Sequence, residues 1–102
     1  MKTYEDFVKI RGWAHQRNLI AGSTTDKQFT KLIEEIGELA AGLARKDTVK
    51  VMDGIGDAVV VLTILAEQMR FSIEACIEMA YDEIKDRKGR MVDGVFVKEA
   101  DL

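Results

Sequence analysis

Apolar residues recur every three or four positions along most of this chain, which is the spacing of one face of an α-helix. The pattern predicts four helices, over residues 3–17, 25–46, 49–69 and 73–88. We interpret them as a four-helix bundle, and we expect the apolar side chains of the fourth helix to face inward. Polar residues typical of helix ends support these boundaries: a capping box of Thr25 and Gln28, a cap at Asp47 or Thr48, Ser72 before the fourth helix and Gly89 after it.

The segment AVVVLTIL, residues 58–65, is rich in β-branched side chains and would also suit a buried strand. We interpret it as helical because its flanks, VKVMDGIGD and AEQMRFS, continue the helical period without turn signals. A helix that is apolar on all sides is expected at the centre of a bundle.

The tail, about residues 89–102, reads GRMVDGVFVKEADL and follows a different pattern. An Asp-Gly pair between two short apolar runs predicts either a small β-hairpin or an extended arm. No linker or repeat interrupts the chain before it. We therefore predict one helical domain over residues 1–102 with a short C-terminal extension.

Composition narrows the possible functions. The 102 residues are 47% hydrophobic and include no proline, which is typical of a soluble helical domain. The net charge of -3 argues against a nucleic-acid partner. The longest apolar run is too short to cross a membrane, and the N-terminus lacks the apolar core of a signal peptide. Together with a single cysteine, Cys76, this predicts a cytoplasmic protein with neither nucleic acid nor membrane as partner.

Five carboxylates stand at helical spacings in the middle of the chain. Glu34, Glu35 and Glu38 fall within an arc of ~100° on the second helix. Asp53 and Asp57 share one face of the third helix. Both clusters lie in strongly apolar sequence, where a carboxylate is costly unless a cation offsets its charge. Oxygen ligands favour Mg²⁺ or Mn²⁺, although a solvated acidic face is the alternative for an isolated cluster of this kind.

Two glycines support a shared site. Gly54 and Gly56 each cost about 1 kcal/mol relative to alanine inside a helix. We expect them to allow a close approach of the neighbouring helix, which would bring the two acidic faces together.

Polar and aromatic residues near the carboxylates are candidate substrate contacts. Gln28 and Lys31 lie on the same helical stripe as Glu35 and Glu38, so Lys31 is placed to reach a phosphate. Trp13 is a candidate for stacking on a nucleobase, with a place in the core as the alternative. A basic cluster closes the fourth helix, where it would also suit the negative end of the helix dipole: Lys85, Arg87, Lys88 and Arg90.

These residues resemble a known family. KLIEEIGELAAGL followed by MDGIGDAVVVL resembles the MazG-like all-α nucleoside triphosphate pyrophosphohydrolases, whose pattern is EExxE followed by ExxD. QFTKLIEEIGELA is similar to the family's Q-x-x-KL-x-EE-x-x-EL, and YDEIKDRKGRMVDGVFVKE to the C-terminal segment of small phage and bacterial members. The resemblance extends over about residues 4–99. In one departure, Gly54 replaces the expected glutamate, and Asp53 is its candidate substitute.

The resemblance implies Mg²⁺-dependent hydrolysis of a nucleoside triphosphate to the monophosphate and pyrophosphate, in a homodimer or homotetramer. By position, Glu35, Glu38 and Asp57 would be metal ligands, and Glu34 a ligand or, with Glu35, a catalytic group that activates water. Lys85, Arg87 and Lys31 would contact the triphosphate. The alternative is a helical module that binds nucleotides or a protein partner without catalysis.

Overall fold

The computed structural model describes residues 3–102. Its four helices confirm the all-α prediction: α1 is Thr3–Gln16, α2 Thr25–Ala44, α3 Thr48–Gln68 and α4 Ile73–Ile84. A short hairpin follows, with β1 at Gly89–Val92, β2 at Val95–Lys98 and a 3-10 turn at Glu99–Asp101. The β-branched segment 58–65 lies within α3, so its interpretation as helix is confirmed.

Side-chain caps fix the beginnings of α2, α3 and α4. Asp47 and Ser72 accept hydrogen bonds from backbone amides three residues on, as predicted. The cap of α2 is Thr24, not Thr25, because its hydroxyl accepts the amide of Lys27 at 3.1 Å. Gln28 makes no capping box, since its amide donates to Ser23 Oγ instead.

The end of α4 also differs from the prediction. The helix ends at Ile84, and Gly89 begins β1 instead of capping the helix. A side chain at Gly89 would collide with the ring of Phe96 across the hairpin. Gly89 is therefore needed for the hairpin and not for the end of the helix. The sequence pattern alone does not distinguish these two roles.

The predicted hairpin is confirmed, and it closes at the Asp-Gly pair. Met91 lies opposite Phe96, and Val92 opposite Val95. Asp93 and Gly94 have φ values of 50° and 81°, the left-handed conformation that a two-residue hairpin turn requires.

Helices α2 and α3 form a closely packed antiparallel pair. A Cβ atom at Gly54 would lie 3.3 Å from the Cα of Leu39, and one at Gly42 would lie 3.3 Å from the backbone nitrogen of Val51. The expected role of Gly54 in helix approach is confirmed. The same expectation for Gly56 is wrong, because a Cβ there would meet nothing within 4 Å.

The core lies between α3 and α1. Its buried apolar side chains are Phe7 and Ala14 from α1 and Val61, Ile64 and Ala66 from α3. Polar contacts add to the packing of α1. The guanidinium of Arg11 donates two hydrogen bonds to the carboxylate of Glu74 on α4, at 2.5 and 2.9 Å.

Much apolar surface stays outside this core. The radius of gyration is 16.2 Å, where about 13 Å is typical of a compact chain of this length. None of the residues of α4 is buried, so the expectation that its apolar side chains face inward is wrong for the single chain. The reason is that, in the part of the chain that the structure describes, α4 has substantial packing only against α1 and α3, which leaves its other side uncovered.

Helix α2 shows the same excess of apolar surface. Leu32 and Leu39 are partly covered on the side that faces α3. The rest of its predicted apolar face forms a second stripe, 47 to 60% exposed, of Phe29, Ile33, Ile36 and Leu43. In residues 3–102, no helix has the length and apolar character needed to cross a membrane.

Candidate metal and nucleotide site

Three of the five candidate carboxylates converge between α2 and α3. Glu35 lies on the stripe of α2 that faces α3, and its side chain is only 13% exposed. The antiparallel pairing of Leu39 with Gly54 places Glu35 level with Asp57. Burial raises the pKa of the Asp57 carboxyl, and the negative charges of Asp53 and Glu35 raise it further. Such like-charge contact is unfavourable, and a cation would relieve it.

Glu34 and Glu38 lie at the rim of this cluster. Their side chains are 62 and 65% exposed. Glu34 is 3.7 Å from Lys31 Nζ, and Glu38 is 3.8 Å from Lys50 Nζ. The rim is therefore accessible to water, as is Asp53, whereas Glu35 and Asp57 are partly shielded from it.

Lys31 connects the rim to the cluster. Its ammonium lies 3.5 Å from Glu35, and this contact, followed by the charge of Glu34, raises the pKa of Lys31. It is therefore a cation held beside the carboxylates, as its spacing predicted. Gln28 is different. It is buried, and its amide holds Ser23 in the loop before α2, so its side chain is committed to the fold.

A groove between α1 and α3 opens beside Asp57. Its volume is about 930 Å³, and its α3 wall includes Asp53 and Asp57. A smaller recess of about 430 Å³ adjoins it, and the two share Lys9, Ile10, Asp57 and Val60. The lining is mostly apolar, the usual character of a small-molecule site, with charged groups on both walls: Asp53 and Asp57 on α3, and Asp6 and Lys9 on α1.

Trp13 lines the smaller recess and is 43% exposed, so the alternative that it belongs to the core is wrong. The guanidinium of Arg17 lies 4.8 Å from the ring centroid. The indole is thus held at the surface of the recess with a cation against it.

Sequence reasoning missed Lys9. This lysine lines both the groove and the recess, four residues before Trp13 and therefore on the same face of α1. That i, i+4 relation to the tryptophan was the available signal. This relation did not single out Lys9, because nothing in the sequence indicated that this face of α1 lies against Asp57.

Lys85 and Arg87 are not brought to the cluster within one chain. Lys85 lies 3.5 Å from Asp82, and Arg87 lies 3.8 Å from Glu83, each at the end of α4. Neither residue lines the groove or the recess. Within residues 3–102, α4 packs mainly on α1 and α3, so its C-terminal end is not brought to the α2 carboxylates.

The donor chemistry fits a divalent cation, although the ligands are not gathered in advance. Within residues 3–102, no three Asp, Glu, His or Cys side chains stand close enough together to hold one ion. Mg²⁺ commonly takes only one or two protein carboxylates and completes its shell with water and phosphate oxygens. The interacting carboxylates of Asp57, Asp53 and Glu35 can supply that number.

Comparisons with known proteins agree with this picture. A family model described as the MazG nucleotide pyrophosphohydrolase domain matches residues 23–92, more than half of the chain, including all five carboxylates. The chain is also similar to an uncharacterized 18.2 kDa protein in the rep-hol intergenic region of Haemophilus phage HP1 (strain HP1c1). The two are 46% identical over 69 residues, which are 67% of this chain and 42% of that protein. The match thus spans less than half of the relative's length, and no solved structure matches the chain significantly.

Proposed function

Because the chain belongs to the MazG nucleotide pyrophosphohydrolase domain family, we propose that it hydrolyses nucleoside triphosphates to the monophosphate and pyrophosphate, with Mg²⁺ or Mn²⁺ as cofactor. The observation that carries the proposal is the group of inner carboxylates, Glu35, Asp53 and Asp57. Asp53 and Asp57 line a groove large enough for a nucleotide, and Glu35 interacts with Asp57 from α2.

The inner carboxylates are the proposed cation ligands, with Glu34 and Glu38 available from the rim. When bound, the cation would polarise a phosphoryl oxygen and activate water. Asp53 takes the place of the glutamate that the family's ExxD pattern has at position 54. A side chain at position 54 would press on Leu39, which would have to shift by a few tenths of an ångström, whereas the carboxylate of Asp53 interacts with Asp57.

The remaining polar residues have separate roles. Glu34 or Glu35 accepts the proton of the attacking water, and the exposure of Glu34 gives water direct access to it. Lys31 and Lys9 stabilise the negative charge of the triphosphate from the two sides of Asp57. Lys85 and Arg87 contribute to triphosphate binding only if the assembled protein brings them to the groove.

The groove favours a defined orientation of the nucleotide. Its mostly apolar lining suits the base and sugar, and the exposed face of Trp13 suits stacking on the base. The triphosphate would then point toward the carboxylate wall.

We further propose that the protein is a homodimer or homotetramer. The exposed stripe of α2, Phe29, Ile33, Ile36 and Leu43, together with Ala40, has alternating spacings of four and three, as in the seam between two packed helices. Ile33→Lys should halve the mass measured by light scattering, whereas Val8→Lys on α1 should leave it unchanged. A monomeric native protein would contradict the proposal.

The activity is tested by measuring pyrophosphate release from a panel of nucleoside triphosphates with Mg²⁺, Mn²⁺ or EDTA. Glu35→Gln and Asp57→Asn should each lower kcat on the order of 100-fold or more. The matched control is Glu78→Gln, which neutralises an exposed carboxylate on α4. Metal-dependent release that survives both site variants would overturn the assignment of the site.

A non-catalytic nucleotide-binding module is the second candidate. It is favoured by the finding that, in residues 3–102, no three ligands are gathered for one ion. Calorimetry with a non-hydrolysable triphosphate distinguishes the two functions. Binding that is lost in Trp13→Ala, from protein that releases no pyrophosphate from any substrate, would establish the binding module.

A further inference from the structure

The C-terminal hairpin, residues 89–98, is apolar on both faces and is not covered. On one face Met91 and Phe96 are 63 and 47% exposed. On the other face Val92 and Val95 are 38 and 64% exposed. Within residues 3–102, its substantial packing is limited to the 3-10 turn that follows it. Since a lone two-stranded hairpin is only marginally stable in water, this one needs a surface to lie against.

A suitable surface exists on the C-terminal half of α3, away from the turns that carry Asp53 and Asp57. The α3–α4 groove runs between the C-terminal half of α3 and the first two turns of α4 and has a volume of about 400 Å³. Its lining is almost entirely apolar and includes Leu62, Met69, Phe71, Cys76, Ile77 and Ala80. An open groove of this kind marks an interaction site.

The charges of the two elements are complementary. Helix α4 carries four carboxylates and no lysine or arginine. Glu74, Asp82 and Glu83 are paired with basic residues of the same chain, and within residues 3–102 Glu78 is the one that makes no ion pair. Residues 85–98 carry five lysine or arginine residues against two aspartates, a net charge of +3. Among the described residues, the ion pairs of this segment involve Lys85 and Arg87, at 3.5 and 3.8 Å. Lys88, Arg90 and Lys98 stay available for an acidic surface.

We propose that the hairpin of one copy docks in the α3–α4 groove of a second copy. Met91 and Phe96 enter the groove, and the basic residues of the hairpin face the carboxylates of α4. In a two-fold arrangement each copy covers the hairpin of the other, so both apolar surfaces are buried at once.

The chain's own groove is a poor site for its hairpin. Only residues 85–88 separate α4 from β1, and the amide of Glu99 donates to the carbonyl of Lys88 at 2.8 Å, which fixes the base of the hairpin. The groove lies along residues 73–80, toward the other end of α4. A second copy meets no such constraint.

The native Cys76 gives a direct test because it is exposed and lines the groove. Met91→Cys keeps Phe96 as the anchor and places a second thiol on the docking face. Under mild oxidation, we expect a covalent dimer in which mass spectrometry finds residue 91 joined to residue 76 of another chain. Asp26→Cys, on an exposed position at the start of α2, is the matched control. The Met91 variant should cross-link on the order of 100-fold faster, because docking raises the effective thiol concentration from micromolar toward millimolar.

Three other outcomes would overturn the proposal. A 91–76 disulfide within a monomer would place the hairpin in its own groove. A dimer that persists when Cys76→Ala is added would indicate pairing of two hairpins. Cross-linking no faster than in the Asp26→Cys control would show that the groove does not receive the hairpin. Since the readout is a disulfide in the whole chain, none of these results depends on nucleotide hydrolysis.

Discussion

The α2–α3 pair and the α4–hairpin segment use apolar sequence in opposite ways. Between α2 and α3, Gly42 and Gly54 remove side chains so that the backbones approach, and the carboxylates of Glu35 and Asp57 are held close together. The α4–hairpin segment has a similar proportion of apolar residues but leaves them exposed, Met79 at 75% and Ile84 at 51%. Close packing therefore builds the candidate site, and open packing provides surface for association.

The largest effect is expected where the close packing is broken. Gly54→Glu introduces the glutamate of the ExxD pattern, yet it should destabilise the protein by about 1 to 3 kcal/mol. Its Cβ would lie 3.2 Å from the Cβ of Leu39, and overpacking of this kind is costly. Urea unfolding measures the change. Gly56→Ala, in open space on the same helix, should be neutral or stabilising by up to about 1 kcal/mol. If both variants lost the same free energy of unfolding, the close approach of α2 and α3 would not explain the glycine at position 54.

A smaller effect is expected where α4 joins the body of the molecule. The two hydrogen bonds from Arg11 lower the pKa of Glu74, so the folded state favours its ionised form. Glu74→Gln should lower the free energy of unfolding by about 1 kcal/mol at neutral pH. Glu78→Gln, also on α4, should not.

The sign of the pH dependence follows from the lowered pKa. The contribution of Glu74 is fully present above the pKa of the unfolded chain, and it is lost as the pH falls through the lower pKa of the folded state. Native protein and Glu74→Gln should therefore converge in acid. A gap between them that stays constant from neutral to acidic pH would contradict an electrostatic role.

The carboxylate cluster should show the opposite sign. Because the pKa of Asp57 is raised in the folded state, its ionisation opposes folding, and stability falls as the pH rises from its unfolded to its folded pKa. Asp57→Asn should therefore stabilise the metal-free protein by roughly 0.5 to 1 kcal/mol. Thermal unfolding in EDTA measures this, and added Mg²⁺ should stabilise the native protein more than the variant. If Mg²⁺ raised the thermal stability of the variant as much as that of the native protein, Asp57 would be excluded as a ligand.

The smallest effect is expected in the open region. Met79→Ser should change the free energy of unfolding by less than about 0.5 kcal/mol in dilute solution, because the side chain is already exposed. Leu39→Ser, on the α2 face that packs against α3, should cost several times more. Equal losses at low protein concentration would mean that α4 is covered within the single chain.

Local chemistry made most of the fold predictable. Helical periodicity located all four helices, and the side-chain oxygens of Asp47 and Ser72 marked helix starts because the relevant hydrogen bonds span only three residues. The Asp-Gly pair located the hairpin for the same reason. The prediction for the end of α4 is wrong because the sequence pattern favours Gly89 as a helix cap. Its role depends on Phe96, which contacts Gly89 only after the chain has turned back.

The sequence by itself therefore determined the helices, the turn, the family and the spacing of the carboxylates, all of which follow from short-range geometry. Tertiary structure alone decided that Glu35 turns toward Asp57 while Glu34 and Glu38 stay at the rim. It also decided that Lys9 lies beside Asp57 and that Lys85 does not. The physical reason is that a wide apolar stripe offers several faces to a neighbour. The face that is used depends on where the backbones can approach, and here the glycines of α2 and α3 fix that position.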